Sequence, residues 1–169
     1  MRFVNLTDLV TDVKRKAPNT HDNLALQALR RSARKFMTVG ELEEQEIVID
    51  LVETQTVYPI PDLPAGTWVK DLDTDDTQYY DFTFNGFDSV TFNTVNYETG
   101  DTFTIQAILG YDADANDYPA EVVGRYFDGI IAGALADLVP SNSRYYNRNF
   151  HSALSEAMED RGVFTGIEA

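Results

Sequence analysis

The sequence contains no cysteine, a single tryptophan, and only 13 lysine and arginine residues against 28 aspartate and glutamate residues. The absence of cysteine excludes a disulfide framework and any metal site built from thiolates. No apolar run reaches the roughly 18 residues that a membrane-spanning helix needs, and the first residues lack the apolar stretch of a signal peptide. The sequence therefore predicts a protein that is made and kept in a cytoplasm.

The net charge of −15 is unevenly distributed along the 169 residues, a length that suits one domain with its own core. Residues 1–36 carry a net charge of +5, residues 37–118 carry −17, and residues 119–169 carry −3. Direct DNA recognition needs basic surface that neutralises phosphates. The acidic middle of the chain therefore argues against sequence-specific binding of nucleic acid.

The first forty residues follow the helical period in two segments, which Pro18 separates. Thr7 is the predicted N-cap of the first helix. The second helix is predicted to begin near Asp22 and to stop at Gly40. The apolar stripe of this second helix comprises Leu26, Leu29, Ala33 and Phe36 or Met37.

Between residues 44 and 110, apolar residues alternate with polar ones, which is the period of a β-strand. About six strands are predicted, enough for a small antiparallel sandwich or barrel. Asn85-Gly86 stands between two alternating runs. This dipeptide predicts a hairpin with a tight type I′ turn, because both central positions of that turn need positive φ.

The last third returns to the helical period. One helix is predicted to start with Pro119 at its first position and to end before Pro140, and a final helix is predicted from near Asn142 to Asp160, with Met158 among its inward residues. The first of these helices contains three interior glycines, each costing about 1 kcal/mol relative to alanine. We therefore expect this helix to pack closely against its neighbours. The glycines are Gly124, Gly129 and Gly133.

The helices at the two ends of the sequence each have one apolar stripe, and they most simply bury these stripes on one another. The predicted fold is α+β, an antiparallel bundle of four helices from both termini with an inserted antiparallel β-sandwich or barrel-like module. A single domain, 1–169, would comprise a helical body at 1–40 and 118–162, the β module at 44–110, and a C-terminal tail at 163–169.

The sequence holds no complete catalytic or metal-binding pattern. Asp112, Asp114 and Asn116 match the first ligands of an EF-hand loop, but the required glycine and final glutamate are absent, which favours a solvated acidic loop. His21 and His151 form no zinc-binding pair, and neither a nucleophile elbow nor a phosphate-binding glycine loop is present. We expect a non-enzymatic structural protein with no catalytic residue, metal or cofactor.

Two groups of residues suggest contact with other molecules. The first is a basic cluster on the second predicted helix, formed by Arg30, Arg31, Arg34 and Lys35. It is consistent with a solvated helix face, with an interface to an acidic protein surface, or with nucleic-acid contact, which the acidic remainder of the chain disfavours. The second is a set of aromatic residues that exceeds the needs of a small sheet, so we expect a few to face outward into an interface. Its members are Trp68, Tyr79, Tyr80, Phe82, Phe84, Phe87, Phe92, Tyr97 and Phe103.

The helix–β–helix order and four local strings resemble the head-to-tail adaptor proteins of tailed bacteriophages, also called neck or connector proteins. The strings are LALQALRRSARKF at Leu24–Phe36, VYPIP at Val57–Pro61, PAEVVGRYFDGIIAGALADL at Pro119–Leu138, and Tyr145-Tyr146-Asn147 at the start of the last helix. The resemblance spans nearly the whole chain. Its strings are packing motifs, with a tyrosine where related adaptors often have a tryptophan.

This resemblance implies a virion protein that assembles in the cytoplasm of the host bacterium. Such proteins form a homo-oligomeric ring, usually of twelve subunits, beneath the portal protein, and the ring receives the tail or nozzle proteins. DNA passes through the lumen without sequence-specific binding. In that family a terminal tail often docks on the portal, which here implies residues 162–169, with Phe164 and Ile167 as apolar anchors. The basic cluster would then meet an acidic surface of the next subunit.

Three other interpretations stay open at this point. The chain is also consistent with another oligomeric neck or tail-completion protein of the same architecture. A ligand-binding or carbohydrate-binding β module on a helical stem is suggested by the many aromatic residues. An unrecognised hydrolase is disfavoured because no nucleophile motif is present.

Overall fold

The computed structural model describes residues 2–60, 63–73, 80–86 and 89–161. Within these segments the protein is mixed α+β, with five α-helices and antiparallel sheets. The chain forms two compact units. The helical unit comprises Met1–Leu42 and Tyr111–Ala169, and the β unit comprises Glu43–Gly110.

Five helices and eight strands make up the described elements. No helix among them has the length and apolar character to cross a membrane. The helices are α1 (Val10–Lys16), α2 (Asp22–Gly40), α3 (Ala120–Arg125), α4 (Phe127–Leu138) and α5 (Ser143–Glu159). The strands are β1 (Phe3–Asn5), β2 (Glu44–Asp50), β3 (Val57–Pro59), β4 (Thr67–Asp73), β5 (Phe82–Phe84), β6 (Ser89–Phe92), β7 (Thr102–Tyr111) and β8 (Asp117–Pro119).

One hydrophobic core in the helical unit takes residues from both ends of the sequence. Leu29 and Phe36 of α2 are buried together with Ile130 of α4 and Leu154 of α5. The buried Ser32 hydroxyl of α2 donates a hydrogen bond of 2.6 Å to the carbonyl of Ile130. This bond satisfies a buried polar group and joins α2 to α4 across the core.

Two of the three interior glycines are sites of close helix contact. A Cβ at Gly129 would lie 2.3 Å from the Cβ of Ala153, and a Cβ at Gly133 would lie 2.2 Å from the Ser32 Oγ. A Cβ at Gly124 would meet no atom within 4 Å. The predicted close packing of this region is therefore confirmed at the first two positions, and Gly124 has no such reason to be glycine.

The predicted count of four helices is wrong, because the third predicted helix is two helices. At Tyr126 the backbone leaves helical geometry, with φ −109° and ψ 24°, between α3 and α4. The Tyr126 ring packs 5.5 Å from the ring of Phe36, and its hydroxyl donates to the Asp160 carboxylate at 2.8 Å. Pro119 also differs from prediction, since it is the last residue of β8 and directly precedes α3.

The N-terminal residues differ from prediction as well. Asn5, and not Thr7, is the N-cap of a 3₁₀ helix, Leu6–Leu9, that leads into α1, since its side chain accepts a hydrogen bond of 3.0 Å from the Thr7 N–H. The N-cap of α1 itself is Leu9, whose side chain makes no capping hydrogen bond. Residues Phe3–Asn5 form β1, which pairs antiparallel with β8. Both strands have three residues, which is too short for a period-2 pattern to be recognised. In the last helix, Met158 is 51% exposed and does not face inward.

The described part of the β unit forms two three-stranded sheets around one core. Their strand orders are β2–β7–β4 and β3–β6–β5. In the first sheet Ile47 lies opposite Ile105, and both side chains are buried. Phe103 of β7 and Phe92 of β6 meet with ring centroids 5.1 Å apart. Aromatic packing therefore fills much of the interior between the two sheets.

The predicted hairpin is present, but its turn is not of the predicted type. Phe84 pairs with Val90, and the Asn85 N–H donates to the carbonyl of Ser89 at 2.9 Å. Four residues, 85–88, separate the strands, and the hydrogen bond between Asn85 and Ser89 encloses three of them, whereas a type I′ turn encloses two. Gly86 has φ +67°, whereas Asn85 is not among the described residues with positive φ. A type I′ turn would need positive φ at both positions.

Candidate interaction surface

Helix α2 has one buried face and one face with basic residues. Its buried residues include Ala25, Ala28, Leu29, Ala33 and Phe36, which recur at spacings of three and four. The intervening positions carry the basic cluster, of which Arg31, Arg34 and Lys35 are exposed. The sequence pattern of α2 therefore decides which of its residues are available to another molecule.

The structure separates Arg30 from the rest of the predicted basic cluster. Arg30 is partly buried, and its Nε donates to the Asn116 Oδ1 at 2.8 Å. It thus joins α2 to the segment before β8 inside the helical unit. Arg30 accordingly has a structural contact within the helical unit that the sequence did not indicate, and its role in partner binding stays a prediction.

The three other basic residues are exposed. The Arg31 guanidinium lies 3.6 Å from the Asp137 carboxylate of α4, in a pair whose side chains are both about half exposed to solvent. The Lys35 Nζ lies 5.4 Å from the ring centroid of Phe150. Exposed pairs of this kind contribute about 0–1 kcal/mol, so they leave the charges available to a partner.

Two large apolar side chains extend the exposed face of α2 beyond its basic residues. Leu24 is 47% exposed near the start of the helix, and Val39 is 50% exposed near its end. We call the exposed face formed by Leu24, Arg31, Arg34, Lys35 and Val39 the α2 strip. It combines three positive charges with apolar surface at both ends, which suits contact with an acidic and partly apolar protein surface.

Three open grooves are described on the helical unit. A groove of about 510 Å³ follows the segment between α1 and α2 and is lined by Lys14, Pro18, Asn19, Thr20, His21, Asp22 and Asn23. A groove of about 280 Å³ follows the C-terminal part of the α2 strip and is lined by Arg31, Arg34, Lys35, Thr38 and Val39. A groove of about 430 Å³ lies along α4 and α5, where its lining includes Asp128, Tyr145, Asn149 and Glu156. His21 lines the first of these grooves, whose described lining contains no serine, and no histidine is among the described residues that line the other two. The described lining of the three grooves therefore offers no serine–histidine pair.

The other predicted acidic and histidine positions do not converge on one site. In the described part of the chain, no group of three or more histidine, aspartate and glutamate residues could hold a metal ion. Asn116, from the EF-hand-like string, accepts the hydrogen bond from Arg30. His21 precedes α2, next to an Asp22 whose pKa is lowered by the hydrogen bond and charge of Lys14. His151 packs edge-on against the ring of Phe150.

The expectation that a few β-unit aromatic residues face outward is wrong for those that the structure describes. Tyr58, Phe92, Tyr97 and Phe103 are buried in the β-unit core. The remaining described ones, namely Trp68, Tyr80, Phe82 and Phe84, are partly buried. Tyr79 and Phe87 lie outside the described residues. No described member of the set is fully exposed, so these residues give no support to the interpretation as a carbohydrate-binding module.

The exposed large apolar side chains of the described β unit are valines, which the sequence analysis missed. The four exposed valines are Val48, Val52, Val57 and Val95. The sequence does indicate that Val48 faces outward, because it lies between Ile47 and Ile49, both of which face the core. A strand with apolar residues on both faces is a sign that its outer face contacts something.

Phe164 and Ile167, the predicted anchors of the C-terminal tail, lie outside the described residues. Their role stays a prediction. The described candidate surface is therefore the α2 strip. A comparison of the sequence with protein-family models finds no match, and a comparison with curated proteins finds none either.

Proposed function

We propose that this protein is a virion structural protein of a tailed bacteriophage, a head-to-tail adaptor. It would form a ring between the portal and the tail or nozzle proteins and continue the DNA channel. The proposal is carried by the packing of α2, α4 and α5, from both ends of the sequence, around one core, while residues 43–110 form a β unit of their own. This is the helix–β–helix order on which the sequence resemblance rests.

The finer architecture is part of the same proposal. The helical unit would correspond to the antiparallel bundle of the adaptor family, although it has five helices, because α3 and α4 divide one predicted helix. The β unit would correspond to the inserted sandwich-like module. Its two three-stranded sheets around one core support this correspondence.

The charge distribution supports a role beside DNA rather than bound to it. Residues 43–110 contain fourteen acidic residues and one basic residue, Lys70, which gives the β unit a net charge of −13. The remaining residues carry a net charge of −2. Carboxylates repel the phosphate backbone, so a channel wall built from such a unit would let DNA slide without gripping it.

The proposed partners are further copies of the chain, the portal, and the tail or nozzle proteins. The C-terminal residues 162–169 would dock on the portal through Phe164 and Ile167. An assembly of this kind needs no catalytic group, cofactor or metal.

Negative-stain microscopy of the protein with the portal protein of the same virion tests the proposal. We expect rings stacked coaxially on the portal. A chain lacking residues 162–169 should keep its melting temperature and lose portal binding. Rings that bind the tail protein and never the portal would indicate another neck or tail-completion protein. The absence of any ring or portal complex would contradict the proposal.

A further inference from the structure

The outer face of β2 carries alternating acidic and apolar side chains. Glu46, Val48 and Asp50 are exposed on this strand, between residues whose side chains enter the β-unit core. Val52, two residues further along, is exposed as well. We call the face formed by Glu46, Val48, Asp50 and Val52 the β2 strip.

Among the four exposed valines of the described β unit, Val48 is distinguished by its neighbours. The exposed carboxylates of Glu46 and Asp50 lie on the same face of the strand, two residues before and two residues after it. The Glu46 carboxylate is also held by a hydrogen bond of 3.3 Å from the Gln106 Nε2 of the adjacent strand β7. The β2 strip thus presents negative charge around an apolar centre on a regular sheet surface.

The α2 strip and the β2 strip carry opposite charges. One presents three positive charges with apolar ends, and the other presents two negative charges with interspersed valines. The α2 strip extends over fifteen residue intervals, or about 22 Å at 1.5 Å per residue, and its basic residues lie between Arg31 and Lys35. On β2 the segment from Glu46 to Asp50 extends over four strand intervals, or about 13 Å at 3.3 Å per residue, and Val52 follows two residues after the strand ends. The acidic face of β2 is therefore long enough to meet all three basic side chains of α2.

We infer that the α2 strip of one copy of this protein docks on the β2 strip of a second copy. This inference deepens the proposed function, on which it rests, by naming the surfaces that join neighbouring subunits. Because the two surfaces differ, a bound pair of copies keeps one free α2 strip and one free β2 strip. Such a head-to-tail contact propagates from copy to copy and closes into a ring when the rotation between copies permits.

Charge also favours a protein partner over nucleic acid on the α2 strip. A ring whose β units carry a net charge of −13 each would repel a phosphate backbone at distances within the screening length of about 10 Å at 0.1 M salt. The same charge attracts the three basic side chains of α2. The contact should therefore weaken as salt is raised.

A charge-exchange experiment on the full chain tests this contact. The first variant, Arg34→Glu with Lys35→Glu, makes the α2 strip acidic. The second, Glu46→Lys with Asp50→Lys, makes the β2 strip basic. Sedimentation velocity at low salt should show self-association of the wild type. Each variant alone should associate about tenfold more weakly or worse, and an equimolar mixture of the two should regain association, because both junctions then pair opposite charges.

The matched control is Arg144→Glu with Arg148→Glu. These two arginines are exposed on α5, four residues apart, and their reversal changes the net charge as much as reversal on α2 does. This control should associate like the wild type. Circular dichroism melts of every variant establish that the fold is retained.

A second measurement uses the absence of cysteine in the chain. A mixture of Val39→Cys and Val48→Cys chains should cross-link into heterodimers with a short bismaleimide. A mixture of Val39→Cys with Val57→Cys, an equally exposed valine on β3, should not.

Three results would overturn the inference. One is a mixture of the two charge variants that stays monomeric while the wild type associates. Another is a wild type that neither associates nor cross-links through Val39 and Val48. The third is binding of a DNA duplex that is lost on reversal of Arg34 and Lys35 while self-association is unaffected. Portal-bound rings that persist in both charge variants would refute this contact alone and leave the adaptor function standing.

Discussion

Asp160, directly after α5, holds two side chains of the α3–α4 junction. Its carboxylate accepts a hydrogen bond of 2.8 Å from the Tyr126 hydroxyl and forms an ion pair of 2.7 Å with Arg125. Burial, followed by the hydrogen bond and charge of Asp160, raises the pKa of Tyr126 to about 12. Tyr126 therefore stays protonated and donates to this carboxylate throughout the physiological range.

We expect Asp160→Ala to destabilise the helical unit by about 1–2 kcal/mol. The variant removes an acceptor of a buried hydroxyl, which is the larger effect, and an ion pair that is partly solvated. Urea denaturation measures the change. The exposed neighbour Glu159 provides the control, because Glu159→Ala should change stability by less than about 0.5 kcal/mol. Equal losses in the two variants would contradict this account of Asp160.

Glu43 is a buried carboxyl group at the start of the β unit. Its side chain is almost fully buried, and burial raises its pKa from the ordinary 4.5 to about 7. The folded protein thus binds the carboxyl proton of Glu43 more tightly than the unfolded chain does. The protonated Glu43 side chain makes its full contribution to the stability of the folded state below about pH 4.5, and this contribution is lost as the pH rises through 7.

Glu43→Gln should therefore stabilise the protein at pH 8, by about 1–3 kcal/mol, and change its stability little at pH 4.5. The amide keeps the shape of the side chain and never acquires the buried charge. Thermal unfolding at the two pH values provides the test. Glu53→Gln, which also removes one negative charge but at an exposed position, should show no such difference between pH 4.5 and pH 8. A stability gain of Glu43→Gln that is the same at both pH values would refute the role of the buried charge.

At the scale of elements, α4 can approach α2 and α5 closely because it contains glycine at the contact positions. The atoms nearest to a Cβ at Gly133 would be the Ser32 Oγ at 2.2 Å and the Phe150 Cδ2 at 2.5 Å. Contacts below 3.0 Å force one of the neighbours to move. A Cβ at Gly124 in α3 would meet no atom within 4 Å.

Alanine substitutions at these two glycines should have opposite effects. Gly133→Ala should destabilise by about 1–3 kcal/mol, because the added methyl group overpacks the junction of α2, α4 and α5. Gly124→Ala should stabilise by about 0.5–1 kcal/mol, because it raises helix propensity without a steric cost. Denaturant titration of both variants measures these changes in the free energy of unfolding. A loss of stability in Gly124→Ala would show that this position has a role that the contacts do not reveal.

Elements of sufficient length could be predicted from the sequence, and short or interrupted ones could not. The alternating pattern of β7 and the apolar stripe of α2 each extend over several repeats, so their identity was clear. The break at Tyr126 could not be predicted, because the apolar stripe of α4 continues that of α3 across this residue. The hairpin turn was predicted one residue too short. Its Asn-Gly signal is local, whereas the pairing of β5 with β6 sets the register.

For the candidate surface, sequence reasoning located α2 but did not sort its residues. It grouped Arg30 with three exposed basic residues, since helical spacing alone cannot show that a partner such as Asn116 comes from a distant segment. The β2 strip was visible as an alternating pattern, but its outward valine was read as an ordinary strand residue. Aromatic residues were expected at the surface because the mutual edge-on packing of six rings in the β unit is a tertiary property.

At the scale of the whole molecule, the two units differ in charge. The β unit carries almost all of the net negative charge, while the helical unit carries twelve of the thirteen basic residues. A chain of this kind has complementary surfaces on different units and is suited to association with its own copies. That property agrees with the proposed place of the protein in a ring around a DNA channel.

The most direct test of the adaptor proposal is the mass of the complexes that the protein forms with the portal of the same virion. Mass photometry of the mixture at physiological salt should show portal rings that gain a fixed number of copies of this chain, with the same number on every particle. The protein remaining monomeric beside unloaded portal rings, at concentrations well above those used for ring-forming virion proteins, would contradict the account.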